Sequence, residues 1–442
     1  MIRRLRILGL ALLLLMTLTG CLFRSVDELY ALPKSSETYV KLQASIEKER
    51  GEAESITPIS GSSTQNVQLV DLDGDGTAEA VAFFRNSGAE FPLKIAIFKQ
   101  DEDREYVNYC TIESKGSEIA SIEYCDLTGG EGLELLVSWQ MTSTVHSISA
   151  YSIGKGQADE LMRSSYTRYV AMDINQDGKQ EVLLIQTDSG NPANNKVEQY
   201  VSAGNAMELH SSAPLSEGIG ALLLWEPGQL RGGEPALMVT SEFGENYRVT
   251  DIFRSGESGI KNVTLDEGLR YSATTRRPYT TIVPTDINKD GATEIPLTKA
   301  IPNYSQSAAD NFWKILWTQY DRNGKGYLQM STYHNLTGLT GRWYLELPSN
   351  WDGKITLSRR EHTAIGEQAV VFSYWEGDPE IVPKPFLTIY RLTGNNRELH
   401  AVQENRFILA RDSETVFAAE FTEINWDHGL DEDSLKLMFH ML

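Results

Sequence analysis

The sequence predicts a mainly β protein of about five repeated four-stranded units, with one short helix before them and a C-terminal α+β domain after them. Three observations carry this. A nine-residue acidic loop occurs at 71–79 and returns at 173–181 and 286–294. From about residue 60 the apolar pattern takes a period of two, the period of a strand with one face buried. After Asn335 the composition shifts, and four of the eight tryptophans fall in the last 107 of the 442 residues.

The loops are Asp71-Leu72-Asp73-Gly74-Asp75-Gly76-Thr77-Ala78-Glu79, Asp173-Ile174-Asn175-Gln176-Asp177-Gly178-Lys179-Gln180-Glu181 and Asp286-Ile287-Asn288-Lys289-Asp290-Gly291-Ala292-Thr293-Glu294. Oxygen-bearing side chains stand at positions 1, 3, 5 and 9, with glycine at 6. A hard cation such as calcium wants several oxygens at short range, alternate residues can aim inward, and the glycine permits the turn around the ion. The same residues also favour hydrated Asx turns that need no ion. An EF-hand is excluded: its twelfth position holds Ala82, Leu184 and Leu297, and each loop runs into an apolar strand instead of a helix. Clustered carboxylates without a cation would repel one another and raise their own pKa values.

Composition sets the class. With 41% hydrophobic and 23% charged residues the chain can bury a core, and it has the length of two or three domains. Its net charge is −21, and the three arginines lost with the first twenty residues take that to −24. Such a surface repels phosphate backbones and attracts divalent cations, so nucleic acid is not an expected partner.

In chain order, Met1 to Arg6 form a basic start and Leu8 to Leu18 an apolar run, short for a membrane span and right for a signal-peptide core. The run ends in Leu18-Thr19-Gly20-Cys21. This is similar to the lipobox of bacterial lipoproteins, which implies a signal peptide over 1–20, cleavage before Cys21, lipid on its sulfur and a membrane anchor on the outer leaflet. Residues 21–59 then read as a tether with a short helix, in which Tyr39, Leu42 and Ile46 form an apolar stripe and Gly51 follows the last turn. From 60 to 335 the units follow: Val67 to Val70, Ala80 to Phe84, Leu93 to Phe98 and Tyr106 to Ile112 in the first, with similar rhythms after it. The second unit has a degraded loop from Asp126 to Glu134, with Thr128 at the third position and Glu131 in place of the glycine, expected to bind nothing. The fourth has no loop signature. Cys110 and Cys125 lie in strand-like runs, at the outer edge of one unit and the inner strand of the next, and are expected as free thiols.

Loop starts at 71, 126, 173 and 286 are 55, 47 and 113 residues apart, the last spanning two periods. A four-stranded unit of this length cannot bury both faces alone, and units set around an axis bury them against one another, the β-propeller solution. Over 60–335 the Asp-x-Asp-Gly-Asp-Gly loops resemble the FG-GAP or VCBS-type repeats of bacterial surface proteins and integrin α-chain propellers. That resemblance implies structural calcium held by Asp71, Asp73, Asp75 and Glu79, by Asp173, Asn175, Asp177 and Glu181, and by Asp286, Asn288, Asp290 and Glu294, with the position-seven carbonyls of Thr77, Lys179 and Ala292 completing each shell.

Residues 336–442 hold strand-like runs and an acid-started terminal helix, Asp431 to Met441, and read as an α+β domain; the alternative is two further blades. Trp343 and Trp375 lie inside apolar runs and are expected in the core, although aromatic faces also suit carbohydrate. No catalytic motif stands out. The seven histidines lack His-Glu-x-x-His spacing, there is no Gly-x-Ser-x-Gly elbow, and Arg276-Arg277 and Glu361-His362 read as solvated charge. The expected function is a lipid-anchored extracytoplasmic binding or scaffold protein that meets an envelope protein or glycan; the alternative is a polysaccharide hydrolase or lyase on the same scaffold.

Overall fold

The computed structural model describes residues 37–278, 281–305, 311–336, 342–363, 366–403 and 405–442. The signal peptide, Cys21 and the start of the tether lie outside them. The described chain is mainly β, in six antiparallel sheets of four or five strands, the blade pattern of a propeller-like fold. It divides into two compact units, one holding residues up to 123 with 139–142 and 152–159, the other the rest.

The first sheet contains β1 (Glu54–Ser55), β2 (Val67–Val70), β3 (Glu79–Arg85), β4 (Leu93–Gln100) and β5 (Tyr106–Ser114). β1 and β2 both pair with β3, and β4 and β5 follow in order. Helix α1 (Glu37–Arg50) lies in this unit. Its Leu42 and Ile46 are buried with Ala80, Ala82, Phe84, Ala96, Phe98 and Tyr106, so the alternate residues of β3 on that face meet the helix. Tyr39, expected in the same stripe, is half exposed. Ser45 Oγ donates to the Tyr106 carbonyl at 2.6 Å, and Gly51 ends the helix at φ +54°.

The second sheet runs β6 (Glu118–Cys125), β7 (Glu134–Gln140), β8 (His146–Gly154) and β9 (Gln157–Tyr166). The third runs β10 (Arg168–Met172), β11 (Glu181–Gln186), β12 (Lys196–Ala203) and β13 (Ala206–Pro214). The fourth has β14 (Ile219–Gln229), β15 (Pro235–Phe243), β16 (Tyr247–Gly256) and β17 (Gly259–Asn262), with β18 (Arg277–Pro278) beside β16. Cys110 on β5 and Cys125 on β6 are both buried reduced thiols, and burial pushes the Cys110 thiol up to about 11.

Why the sheets stack follows from the second strand of each. Val182 and Leu184 of β11 pack with Leu136, Ile148 and Ala150 of the second sheet, whereas Leu183 and Ile185 pack with Leu237, Val239 and Phe253 of the fourth. Ala236 and Met238 then pack with Ile295 and Tyr320 of the fifth. A strand buried on both faces has no polar side to show, which is why these runs are continuously apolar and not alternating.

The fifth sheet is β19 (Ile295–Ile301), β20 (Phe312–Tyr320), β21 (Gly326–Asn335), β22 (Trp343–Glu346) and, from the other end of the chain, β28 (Phe439–Met441). Before β19, the strand that elsewhere leads into the loop is a single bridge, Thr285 to Glu294. The stretch after 336 also holds a sheet of its own, ordered β23 (Ile355–His362), β24 (Glu367–Tyr374), β25 (Lys384–Thr393), β27 (Thr415–Phe421) and β26 (Phe407–Arg411). Helices α2 (Arg397–Ala401) and α3 (Glu432–Met438) accompany it, the second opened by an Asp431–Ser434 capping box. This stretch shares one core with the fifth sheet, in which Trp343, Trp351, Leu345 and Tyr333 lie among Phe372, Phe386 and Leu435. The tryptophans 343, 351 and 375 are buried, and Trp426 packs against the same core.

One basic residue departs from expectation. Arg277 is 1% exposed and donates through Nη1 to Thr250 Oγ1 and the Thr275 carbonyl, each at 3.0 Å. Burial and the neighbouring Arg248 pull its pKa down to about 10. Arg276 stacks 3.6 Å from the centroid of the Tyr247 ring. Arg277 is thus not the solvated charge that the sequence suggests, whereas Arg276 is exposed.

Across the outer strands of the fifth sheet, His334, Tyr344 and His440 are direct cross-strand neighbours whose rings stack at 5.1 and 4.5 Å. Burial pushes His334 down to about 4. A folded pKa below the unfolded value means that the unfolded chain takes the proton first, so stability is full above about 6.5 and falls as pH drops toward 4. We expect this residue to remove about 1–2 kcal/mol between pH 7 and 5. Urea midpoints of the wild type and His334→Gln at the two pH values check it; parallel losses in both would assign the slope elsewhere.

Candidate metal centres

The loops at 71 and 173 start where one strand ends and close on the first residue of the next, and the loop at 286 is closed by the Thr285–Glu294 bridge, so pairing fixes both ends of each. The fold of the loop is then local chemistry. In the first loop Asp71 accepts from the N–H groups of Gly74 at 2.8 Å and Gly76 at 2.9 Å. In the third sheet Asp173 accepts from Asp177 at 3.1 Å and Gly178 at 3.0 Å, and in the fifth Asp286 does the same with Asp290 at 3.1 Å and Gly291 at 2.9 Å. Position five turns back on position seven: Thr77, Lys179 and Ala292 donate their N–H groups to Asp75, Asp177 and Asp290 at 2.7, 2.9 and 2.9 Å. Glycine at position six has φ of +84°, +90° and +93°, the left-handed region open to it without strain. Position four needs that region too. Gly74 takes it freely, whereas Gln176 and Lys289 hold φ of +62° and +60° at a cost of about 1 kcal/mol each.

The glutamate at position nine is the floor of each loop. Glu79 and Glu181 are 2% exposed and Glu294 is fully buried. One carboxylate oxygen accepts the position-two N–H in every case, from Leu72 at 2.8 Å, Ile174 at 3.1 Å and Ile287 at 3.0 Å. The degraded loop keeps this frame, with Leu127 donating to Glu134 at 2.8 Å.

What the other oxygen meets differs from loop to loop. Glu134 Oε1 accepts from the Thr128 hydroxyl at 2.6 Å, so this loop is closed by its own side chains, as its missing carboxylates suggest. Glu181 Oε1 accepts from Asn175 Nδ2 at 2.9 Å. Glu294 Oε1 accepts from Gln319 Nε2 at 2.7 Å, and the same amide reaches both oxygens of Asp290 at 3.0 and 2.8 Å. Glu79 Oε1 has no hydrogen-bond donor, and the Lys99 ammonium stands 3.6 Å away, paired with Asp73 and with Asp75 at 2.9 Å.

Electrostatics follow the filling. Burial and then Asp177 and Asp173 push the Glu181 carboxyl up to about 7. Glu79 and Glu294 are raised as well, burial leading in both and neighbouring aspartates adding to it. Lys99 holds Asp75 below the usual carboxylate range. Ligand-capable oxygens of Asp71, Asp73 and Glu79 lie within 4.8 Å of one another, as do those of Asp286, Asp290 and Glu294. All-oxygen donors and carboxylate-rich clusters fit a hard divalent cation, and in the first loop one glutamate oxygen is in addition buried without a donor.

The sequence-expected residues are therefore brought together loop by loop: 71, 73, 75 and 79; 173, 175, 177 and 181; 286, 288, 290 and 294. Sequence reading missed Lys99 and Gln319. They lie on β4 and β20, the second strand after the loop, opposite the position-nine glutamate, and only the pairing register reveals them. Cys21 lies outside the described residues.

No protein-family model and no curated protein matches the chain. Among solved structures it is similar to rhamnogalacturonan lyase YesW, at 11% identity and TM-score 0.31, covering 73% of this chain and 76% of that one. A protein from Lactobacillus plantarum aligns at 10% identity and TM-score 0.28, over 81% of this chain and 97% of that one. The exotype rhamnogalacturonan lyase YesX aligns at 11% identity and TM-score 0.22, over 77% of this chain and 68% of that one. At these TM-scores the likenesses carry no weight, and the fold stands on its sheet order and registers.

Proposed function

We propose that the chain is a lipid-anchored extracytoplasmic binding or scaffold protein of the FG-GAP/VCBS-repeat type, in which calcium at one or more of the acidic loops stiffens the hairpins that present its surface. One observation carries the reading: the same nine-residue frame, closed below by a buried glutamate, stands at the head of three sheets. In an occupied loop calcium would be held by the Asp, Asn and Glu side chains, and would supply the positive charge that lowers the repulsion among them. Cys21 would carry the lipid. The partner would be an envelope protein or glycan, since the net charge of −21 opposes nucleic acid.

Thermal unfolding in excess calcium against excess chelator tests this. A midpoint about 2–5 °C higher with calcium is expected, because an ion bound only by the folded state stabilises it by mass action. Coincident transitions would reject the ion. For the binding role, retention on cell-envelope preparations should fall on chelation; equal retention would separate the loops from the partner surface.

A further inference from the structure

The registers place a different residue opposite each position-nine glutamate. In the first sheet Ala80 pairs with Phe98, so one step along the ladder Glu79 faces Lys99. In the third sheet Val182 pairs with Tyr200, and Glu181 faces Val201. In the fifth Ile295 pairs with Thr318, and Glu294 faces Gln319. The three loops are alike in sequence and unlike in what the neighbouring strand sends into them: an ammonium, an isopropyl group and an amide.

We propose that Lys99 is the resident cation of the first loop, a tethered ammonium in the position that a divalent ion would take, so that loop 71–79 folds without metal and the loops at 173 and 286 are the ion-binding ones. This rests on the reading of the loops as cation sites. The geometry is specific. Lys99 Nζ pairs with Asp73, lies 2.9 Å from Asp75 Oδ2 and 3.6 Å from Glu79 Oε1, and its side chain is 23% exposed. A calcium ion would need to stand about 2.3–2.6 Å from those same oxygens. It would then sit nearly against the ammonium, where two like charges repel strongly. The tether also favours the lysine, since β4 is already fixed by its ladders to β3 and β5 and the ammonium arrives at no cost in association entropy.

A lysine is an incomplete substitute. It leaves Glu79 Oε1 and Asp73 Oδ1 buried without a hydrogen-bond donor, so the loop keeps unused capacity for a divalent ion if the ammonium is removed. In the loop at 173 no such group competes. Val201 brings no donor, and only Asn175, itself a ligand candidate, reaches Glu181.

Calcium stoichiometry measured by isothermal titration calorimetry decides the matter, with Lys99→Val, Lys99→Gln and Asp71→Asn compared with wild type. The expected result is that either Lys99 variant gains one equivalent of calcium and acquires a calcium-dependent rise in melting temperature beyond that of wild type, while Asp71→Asn leaves wild-type stoichiometry unchanged. Two variants are used because Lys99→Val copies the residue opposite Glu181, whereas Lys99→Gln copies the residue opposite Glu294. If neither gains an equivalent, or if Asp71→Asn costs wild type one, Lys99 is not the resident cation. A wild type that binds no calcium beside a Lys99 variant that binds one would sustain Lys99 as the resident cation of loop 71–79 and overturn the assignment of calcium to the loops at 173 and 286.

Discussion

Replacing Asp251 with alanine is expected to cost the fold about 3–5 kcal/mol, because at least two buried donors lose their acceptor and a cavity opens. Asp251 sits on β16, fully buried. Its Oδ2 accepts from the Ser216 N–H at 2.9 Å, and its Oδ1 accepts from Ser216 Oγ at 2.7 Å, Asn262 Nδ2 at 2.9 Å and Ser272 Oγ at 2.5 Å. One carboxylate thus ties together the crossover from the third sheet to the fourth, the end of β17, and the segment ahead of β18. Burial raises its pKa while these donors pull it down. The Ser272 hydroxyl can turn to Thr264 Oγ1 at 3.0 Å, and Asn262 Nδ2 keeps one bond to the Pro214 carbonyl at 3.0 Å, so the donors that lose their acceptor are the Ser216 amide and hydroxyl and the second Asn262 Nδ2 hydrogen. Asp251→Asn keeps the volume and one acceptor, and should cost about 1–3 kcal/mol. Urea midpoints of the two variants order the terms: a loss under about 1 kcal/mol for Asp251→Ala would mean that the cluster does not hold these segments.

How much of this was legible depends on how far apart in the chain the interacting residues stand. The loops were readable because all of their candidate ligands fall within nine residues, and the turn chemistry of Asp, Asn and Gly writes the frame directly into the sequence. The second strands were readable because burial on both faces leaves an unbroken apolar run. Lys99 and Gln319 were not, since their place opposite Glu79 and Glu294 depends on ladder registers that no linear spacing encodes. The fourth sheet lacks the signature, yet the join survives in other residues: the Thr293 N–H donates to the Gln229 carbonyl at 2.9 Å between the fourth and fifth sheets, as the Gln180 N–H does to the Asp126 carbonyl at 2.7 Å between the second and third. Arg277 was misread for a related reason. A pair of arginines looks solvated until a threonine hydroxyl and a carbonyl from elsewhere in the chain are known to meet one of them. In the last hundred residues the order of β27 and β26 and the return of β28 to the fifth sheet are long-range pairings, so the sequence carried the strands and not their partners.

Trp351→Ala should be the most damaging single truncation in the core shared by the fifth sheet and the stretch that follows it, at about 3–5 kcal/mol. The side chain is 1% exposed and stands at the meeting point of three rings, with centroids 4.9 Å from Phe386, 5.8 Å from Phe372 and 6.4 Å from Trp426. Its indole Nε1 donates to the His428 carbonyl at 2.8 Å, which pins the segment leading into α3 against the turn ahead of β23. Packing and hydrogen bond can be separated. Trp351→Phe keeps an aromatic ring but leaves the His428 carbonyl without its donor and part of the indole volume empty, and should cost about 1–2 kcal/mol. Because α3 is only seven residues long and leads directly into β28, loss of that bond should be felt first at the C-terminus. Limited proteolysis of Trp351→Phe is expected to release a short C-terminal fragment before any other cut, and Trp351→Ala to open the whole shared core. If both variants unfold at the wild-type urea midpoint, or the C-terminal segment stays protected in both, the indole is a passenger in the core and not the group that joins its parts.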